Sequence, residues 1–309
     1  MTEQTARAVV MIRPHRFSSN PETALDNAFQ QPTVTDDAEK IAQRALAEFD
    51  AAVAQLRAAG VVVHVFADTP TPDKPDAVFP NNWFSTHEDG RVVLYPMATP
   101  SRRTERRRDV IEQLRENYRV TEIIDYTAFE SRGLYLEGTG SLVLDYVNRL
   151  AYVSLSGRAM LEPLEKFCAD FRYEPITFAS QDTEGRPIYH TNVMMCLGSQ
   201  LALIGLDSIR HADERMKVRA SLEKTGKTIV ELTPQQIANF AGNALELQNG
   251  RENLLVLSER AVRHLTPVQR RTIERFARLV PLSLPTIELA GGSARCMLAA
   301  IHLPPLSNP

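Results

Sequence analysis

The stretch Gly291-Gly292-Ser293-Ala294-Arg295-Cys296-Met297 places a cysteine just after two glycines and a small serine. Such a backbone turns tightly and lets a ligand come close to the main chain. The apolar run Met297 to Leu303 that follows reads as a strand. A cysteine at the mouth of a strand, behind a glycine turn, stands where a nucleophile would be placed. Free cysteine is also a common small buried hydrophobe, and this segment alone leaves both readings of Cys296 open.

His190, in Ile188-Tyr189-His190-Thr191-Asn192, sits at the entry to a predicted strand. There it either satisfies a neighbouring hydrogen bond or acts as acid and base for a distant cysteine. A thiol nucleophile needs such a partner to lower its pKa or to protonate the leaving group. Glu137, in Leu136-Glu137-Gly138-Thr139-Gly140, lies among small residues in an otherwise apolar hairpin. Alternation along a strand would point it to solvent. The glycines beside it point instead to a close approach, and a buried carboxylate needs a cation or donors. The segment Asp76-Ala77-Val78-Phe79-Pro80-Asn81-Asn82-Trp83-Phe84 holds the only tryptophan. Two asparagines after a proline are often turn residues. Their amides also carry both donors and an acceptor, which suits an amide or urea better than a cation.

Composition sets the class of molecule that must hold these groups. The chain has 309 residues, 43% hydrophobic and 24% charged, enough for one globular domain with a sizeable core. A net charge of −3 gives no basic footprint for nucleic acid. Arg102, Arg103, Arg106, Arg107 and Arg108 cluster, but Glu105 and Asp109 interrupt them, and the cluster reads as a solvated helix face. Cys168, Cys196 and Cys296 are odd in number, widely spaced and without a CxxC pair, so neither a zinc site nor a disulfide framework is expected. A reducing cytoplasmic setting fits. The first residues are polar rather than signal-like, and no apolar run reaches membrane-spanning length.

The elements that must position the candidates recur in a fixed order. Ala8 to Ile12 reads as a buried strand and Phe17 to Thr35 as a long polar loop, of the kind that is often functional. Ile41, Ala45, Leu46, Phe49, Val53 and Leu56 have helical spacing within Asp36 to Ala59, with Asp36 or Asp37 as cap, and Val61 to Phe66 is a strand. Strands at Val78 to Thr86 and Val92 to Tyr95, joined at Asp89-Gly90, precede a helix from Ser101 to Tyr118 and a strand at Val120 to Ile124. Leu134 to Leu144 and Leu150 to Ser154 precede a helix from Arg158 to Phe171 and a strand at Pro175 to Phe178. Asn192 to Leu197 and Leu201 to Leu206 precede a helix from Ala212 to Lys224 and a strand at Thr228 to Leu232. Ala244 to Gln248 and Asn253 to Leu257 precede a helix from Pro267 to Arg278, a strand-like run at Pro285 to Leu289 and the Cys296 strand. A hairpin, helix, strand unit thus returns at a spacing of roughly 50 to 60 residues, five times if the last strand completes the unit begun by the first. The expected architecture is α/β: one domain over residues 1–309, five ββαβ blades around a pseudo-axis, with a central site drawing on several blades.

Together these residues resemble the guanidino-group modifying superfamily, which includes arginine deiminases, dimethylarginine hydrolases, agmatine deiminases and amidinotransferases. The resemblance covers nearly the whole chain. It rests on the Gly-Gly-x-x-Arg-Cys-Met ending, the Glu137-Gly138 pair and His190-x-Asn192. Met11-Ile12-Arg13-Pro14-His15-Arg16-Phe17, Phe79 to His87 and Tyr189 to Met195 look most like the citrulline-utilisation hydrolase branch. The resemblance implies the five-bladed α/β-propeller (pentein) fold. It implies Cys296 as nucleophile, His190 as general acid/base, and Glu137 as the carboxylate that holds the substrate head and supports the histidine. Arg295 matches an arginine common in deiminases, there either for a substrate carboxylate or for a structural salt bridge. Arginine deiminases carry Phe-Thr-Arg-Asp where this chain has Phe79-Pro80-Asn81-Asn82, and His-x-Asp where it has His190-Thr191-Asn192. In both places an acid that would grip a guanidinium is an asparagine here, which weakens a charge-assisted grip on a cation and fits a neutral ureido group. Asp76 remains as a second carboxylate.

The implied activity is cysteine-dependent hydrolysis of a ureido amino acid, citrulline to ornithine, ammonia and carbon dioxide, with Asn81, Asn82, Asn192, Asp76 and Arg295 as candidate substrate contacts. An arginine deiminase or dihydrolase gripping its cation with Glu137 and Asp76, an amidinotransferase, and a non-catalytic amino-acid-binding protein of the same fold are the alternatives. No metal or organic cofactor is implied. The expected partner is a small molecule, citrulline or arginine-like, and neither nucleic acid nor membrane; a homo-oligomer is left open, as is a lid role for Phe17 to Thr35.

Overall fold

The computed structural model describes residues 3–24, 26–31 and 38–306. Among them, fifteen strands form five sheets of three strands each. β1 (Ala8–Arg13) runs parallel to β2 (Val62–Ala67), and the helix Ala38–Ala58 makes the crossover that a parallel pair requires. The next blade pairs β3 (Phe84–Thr86) antiparallel with β4 (Arg91–Leu94), then β4 parallel with β5 (Glu122–Asp125) after the helix Arg108–Asn117. The same order builds β6 (Val143–Asp145), β7 (Leu150–Ser154) and β8 (Glu174–Phe178) around the helix Leu161–Phe171. It recurs in β9 (Met195–Leu197), β10 (Leu201–Ile204) and β11 (Thr228–Glu231) around the helix Ala212–Lys224. It recurs again in β12 (Leu245–Gln248), β13 (Asn253–Ser258) and β14 (Arg278–Leu282), with helices Glu259–His264 and Pro267–Glu274 between the last two strands. β15 (Ala299–Ile301) pairs antiparallel with β1, so the end of the chain completes the blade that its beginning opened. The five ββαβ blades anticipated from the repeat are present.

Burial explains why these segments take these forms. The helix Ala38–Ala58 buries Ile41, Ala45, Phe49, Ala52, Val53 and Leu56, one stripe at intervals of three and four residues. The middle strands β7, β10 and β13 are flanked on both edges and are apolar through most of their length, as strands covered on both faces are. No helix of the described residues is long and apolar enough to cross a membrane.

The structure departs from the sequence expectation at one repeated place. Val78 to Thr86 is not one strand: Pro80–Asn82 is a helical turn, and only Phe84–Thr86 is extended. Proline at the first position of that turn gives up no hydrogen bond there and presets its φ. Likewise Gly138–Ser141, Thr191–Met194 and Ala294–Met297 are helical turns that precede β6, β9 and β15. Each apolar run is long enough to be a strand, and periodicity alone does not separate a short strand from a turn of helix. Other boundaries move as well, and the helix expected from Arg158 begins at Leu161. The helix expected over Ser101 to Tyr118 is broken into Pro100–Arg103 and Arg108–Asn117. The helix from Pro267 stops at Glu274, so Arg278 opens β14 instead. The strand-like run at Pro285 to Leu289 becomes the turn Ile287–Ala290. The Asp36 and Asp37 caps lie outside the described residues.

Candidate active site

The helical turns before the innermost strands carry the polar groups that meet at the axis. Pro80–Asn82 brings Asn81 and Asn82; Glu137 immediately precedes Gly138–Ser141; His190 precedes Thr191–Met194, which contains Asn192; Ala294–Met297 contains Cys296. In the remaining blade the equivalent place is a tight turn closed by Asn243 N–H on the Phe240 carbonyl, just before β12. A cavity of about 280 Å³ opens among them, lined by Asp76, Asn82, His190 and Cys296 and also by Arg102 and Arg158.

Glu137 is completely buried, and its carboxylate is fully engaged. Oε1 accepts from the Ala98 N–H at 3.0 Å, and Oε2 lies 2.8 Å from His190 Nε2. Arg158 and Arg102 stand 3.7 and 3.8 Å from Oε2. Burial by itself would raise this carboxyl, but the charge of Arg158, the His190 hydrogen bond and the charge of Arg102 outweigh it and hold it at about 2. His190 moves the other way. Burial, helped by the two guanidiniums, lowers its pKa below 6.5 even though Glu137 pulls it up, so the imidazole is neutral at physiological pH.

Arg102 is as deeply placed. Its Nε and Nη2 donate to the two oxygens of Glu105 at 3.0 Å each, and Nη1 donates to Asn82 Oδ1 at 2.9 Å. Asp76 Oδ2 lies 3.7 Å from its Nε and accepts from Asn20 Nδ2 at 2.8 Å. The reading of Arg102 as part of a solvated face is thus overturned: the side chain is 3% exposed, while Arg108 at the other end of the cluster is exposed. Arg158 is bound at Nε by Asp26 Oδ2 at 2.8 Å, with Asp26 Oδ1 on Nη2, and stacks over Tyr189.

Cys296 Sγ lies 3.2 Å from Asn243 Nδ2 and 3.8 Å from Asn192 Nδ2. Asn243 also donates to the Asn192 carbonyl at 3.1 Å and accepts from the Arg295 N–H at 3.0 Å, so one amide fixes the backbone on both sides of the sulfur. Several amide atoms here are buried and unpartnered among the described residues: Asn82 Nδ2, Asn192 Oδ1, and both side-chain polar atoms of Asn81.

Two glycines are dictated by this crowding. Gly138 has φ +46° and lies so close to the Asn81 carbonyl that a Cβ would come within 2.5 Å of it. A Cβ on Gly140 would run into Asn82 Nδ2 and come within 2.8 Å of His190 Nδ1. The close approach expected beside Glu137 is therefore made by the site's own backbone and side chains.

The structure brings Cys296, His190, Asn82 and Asp76 to one cavity, with Glu137 behind His190 and Asn192 behind Cys296. Asn81 does not line it, although its carbonyl accepts from Thr139. Arg295 does not line it either. Its Nη1 donates to the Leu298 carbonyl at 2.7 Å, and its side chain borders a second cavity. The segment after β1 closes one side: Thr23 and Asn27 line the cavity, Asn27 donates to the Ala290 carbonyl, and Asp26 pairs with Arg158. His15 and Arg16 are exposed and are not among the lining residues. Reasoning from sequence does not reach Arg102, Arg158 and Asn243. The i, i+3 spacing of Arg102 and Glu105 is a signal for the first, and the recurrent polar residue before each innermost strand is a signal for Asn243.

A model of the eukaryotic N,N-dimethylarginine dimethylhydrolase family matches residues 13–303. No curated protein matches the chain. Among solved structures, the N-terminal domain of ArgZ, an arginine dihydrolase of the cyanobacterial ornithine–ammonia cycle, solved bound to product, superposes with a TM-score of 0.74. It is 17% identical, over 96% of this chain and 98% of that one. Against whole ArgZ the chain covers 41% of its length, again at 17% identity and a TM-score of 0.73. A dimethylarginine hydrolase from Pseudomonas aeruginosa, a cysteine-to-serine mutant complexed with citrulline, gives 0.65 at 14% identity over 96% and 100% of the two chains. These likenesses establish the shared fold.

The Gly140 contact makes a prediction. Gly140→Ala should leave the far-ultraviolet circular dichroism unchanged but displace Asn82 and His190. The cost should be about 100-fold in kcat, the usual scale for a misplacement near 1 Å. Wild-type turnover by this variant would show that the close approach of Gly140 to His190 is not needed.

Proposed function

Because the chain belongs to the N,N-dimethylarginine dimethylhydrolase family, enzymes that hydrolyse non-peptide C–N bonds, we propose that it hydrolyses a neutral ureido amino acid, citrulline. The observation that carries this reading is the state of the carboxylates. Glu137 and Asp76, the two acids available to grip a guanidinium, already face Arg102 at 3.8 and 3.7 Å, and Glu137 also faces Arg158. A third guanidinium would meet two resident ones in a region poor in water, where like charges repel strongly. The unsatisfied polar atom of a cavity-lining side chain is a neutral amide instead, the donor Asn82 Nδ2. It matches the oxygen of a urea, and leaving it unpaired would cost about 1–3 kcal/mol.

In this mechanism Cys296 attacks the ureido carbon. His190, whose Nε2–H is committed to Glu137, takes the thiol proton through Nδ1 and returns it to the departing side-chain nitrogen. Ornithine leaves and a carbamoyl thioester remains on Cys296. A water deprotonated by His190 then attacks the thioester carbon. The thiolate departs and recovers its proton, and the released carbamate decomposes to ammonia and carbon dioxide. Asn243 holds the sulfur in place. Arg158 takes the substrate α-carboxylate, its protein partner Asp26 being half exposed and readily solvated when displaced.

Product analysis tests the substrate. Incubation with citrulline, arginine and methylated arginines, followed by mass spectrometry, should give ornithine and ammonia in equal amounts from citrulline, and no product with Cys296→Ala. Arginine turnover well above citrulline turnover would overturn the neutral-head reading and leave an arginine hydrolase. The pH profile tests the base. The lowered pKa of His190 places the acid limb of kcat/KM below pH 6.5. Glu137→Gln removes a charge and a hydrogen bond that raise that pKa, so the limb should move to still lower pH while kcat falls. A limb above 6.5, or one that rises in the variant, would assign the proton to another group.

A further inference from the structure

Arg295 is the chain neighbour of Cys296 but belongs to another cavity, of about 480 Å³, larger than the one around the sulfur. That cavity lies among the innermost strands β6, β9 and β12, with Gln4 and His302 at its border. Arg295 is nine-tenths buried, and among the described residues one of its five N–H groups has a protein acceptor, the Leu298 carbonyl. The titratable groups whose charge it feels are Tyr146, Cys296 and Cys196, none of them a carboxylate. His302 shares the cavity wall and is held neutral, its imidazole pushed down to about 3 by burial and by the charge of Arg295. Arg295 is therefore a buried cation that borders a cavity and forms no ion pair among the described residues, a state that costs energy until an anion reaches it.

The same cavity contains the complementary defect. Glu246 is 2% exposed; Oε1 accepts from the Ser199 N–H at 2.9 Å, while Oε2 is buried with no partner among the described residues. Burial raises its carboxyl, and the cation whose charge it feels is Lys227 rather than Arg295. The Arg295 guanidinium and the Glu246 carboxylate thus both border the cavity without forming an ion pair with each other.

We propose that this cavity is a second ligand site, for a small zwitterion of the α-amino acid class, with the carboxylate on Arg295 and the ammonium on Glu246. It connects to the chemistry in one step. The Arg295 N–H donates to Asn243 Oδ1, and Asn243 Nδ2 lies 3.2 Å from Cys296 Sγ, so a ligand that pulls on Arg295 acts on the residue that positions the sulfur. Tyr146 and His302, stacked with ring centroids 4.0 Å apart, stand on the wall between this cavity and a neighbouring groove that Glu88 and Arg149 also line. The second site is independent of which head group the active site accepts.

L-Alanine tests it, because it has the zwitterion and no ureido or guanidino group. Equilibrium dialysis should find one L-alanine per chain both in the wild type and in Arg158→Met, which is altered at the first cavity. Arg295→Met and the isosteric Glu246→Gln should each weaken that binding roughly tenfold or more, as loss of a charge-assisted contact does. Acetate should bind the wild type more weakly than L-alanine and be indifferent to Glu246→Gln. If Arg295→Met does not fold, the Glu246 variant decides. The proposal is overturned if L-alanine does not bind the wild type, if its binding is lost in Arg158→Met but kept in Glu246→Gln, or if acetate binds as tightly as L-alanine.

Discussion

The ionised carboxylate of Glu137, buried between two guanidiniums and an imidazole, is the interaction around which the centre of the molecule is arranged. Taking such a group out of water costs on the order of several kcal/mol. That cost is offset only because each partner arrives in the right place. Ala98 and Arg102 come from the chain after β4, Arg158 from the chain after β7, and His190 from the turn before β9. One carboxylate thereby ties together three blades that share no strand. Removing any one cation leaves the remaining charges unbalanced, a loss of about 3–5 kcal/mol for a buried pair, so positions far apart in sequence are constrained as a unit.

The blade order could be read from the sequence because it is written in local terms. Middle strands buried on both faces are apolar throughout, as in Leu201 to Ile204, and the crossover helices carry an apolar stripe, as in Ile41 to Leu56. The return of the last strand to the first followed from the order of elements, and the β15–β1 pairing realises it. What could not be read was where the strands begin. In Leu134 to Leu144 and Asn192 to Leu197 the first residues are apolar or small because they pack around the axis, not because they are extended. Closure of the ring, a tertiary effect, turns them into single helical turns.

The chemistry-bearing residues were legible for the same reason that the helical turns were not. Cys296, His190 and Glu137 stand beside small or polar residues that have no place in an ordinary core strand, which marks them. Arg102 carries no such mark. Five arginines in seven residues look like a solvated face, and only the fold shows that one of them turns inward onto Glu105, Asn82 and Asp76. Arg295 misled in the other direction. Successive side chains of a turn with three residues per revolution point about 120° apart, so the neighbour of the cysteine leaves its cavity and borders the other one.

Charge balance connects the two ends. Near Cys296, Glu137 and Asp76 balance Arg102 and Arg158. Glu105 adds a third carboxylate, bound by both nitrogens of the Arg102 fork, and Asp26 is half exposed and screened by water. The carboxylates of the first cavity are thus engaged with the two resident guanidiniums before any ligand arrives, and a third guanidinium would have to displace one of those pairings. The second cavity holds one positive and one negative group that do not reach each other. It is balanced in total but not locally, and the species that repairs a local imbalance without creating a net one is itself a zwitterion. The same physical requirement, that no charge be buried without its partner, underlies both the neutral head group proposed at one end of the axis and the dipolar ligand proposed at the other, and Asn243 stands between them, bonded to the backbone of Arg295 and touching the sulfur of Cys296.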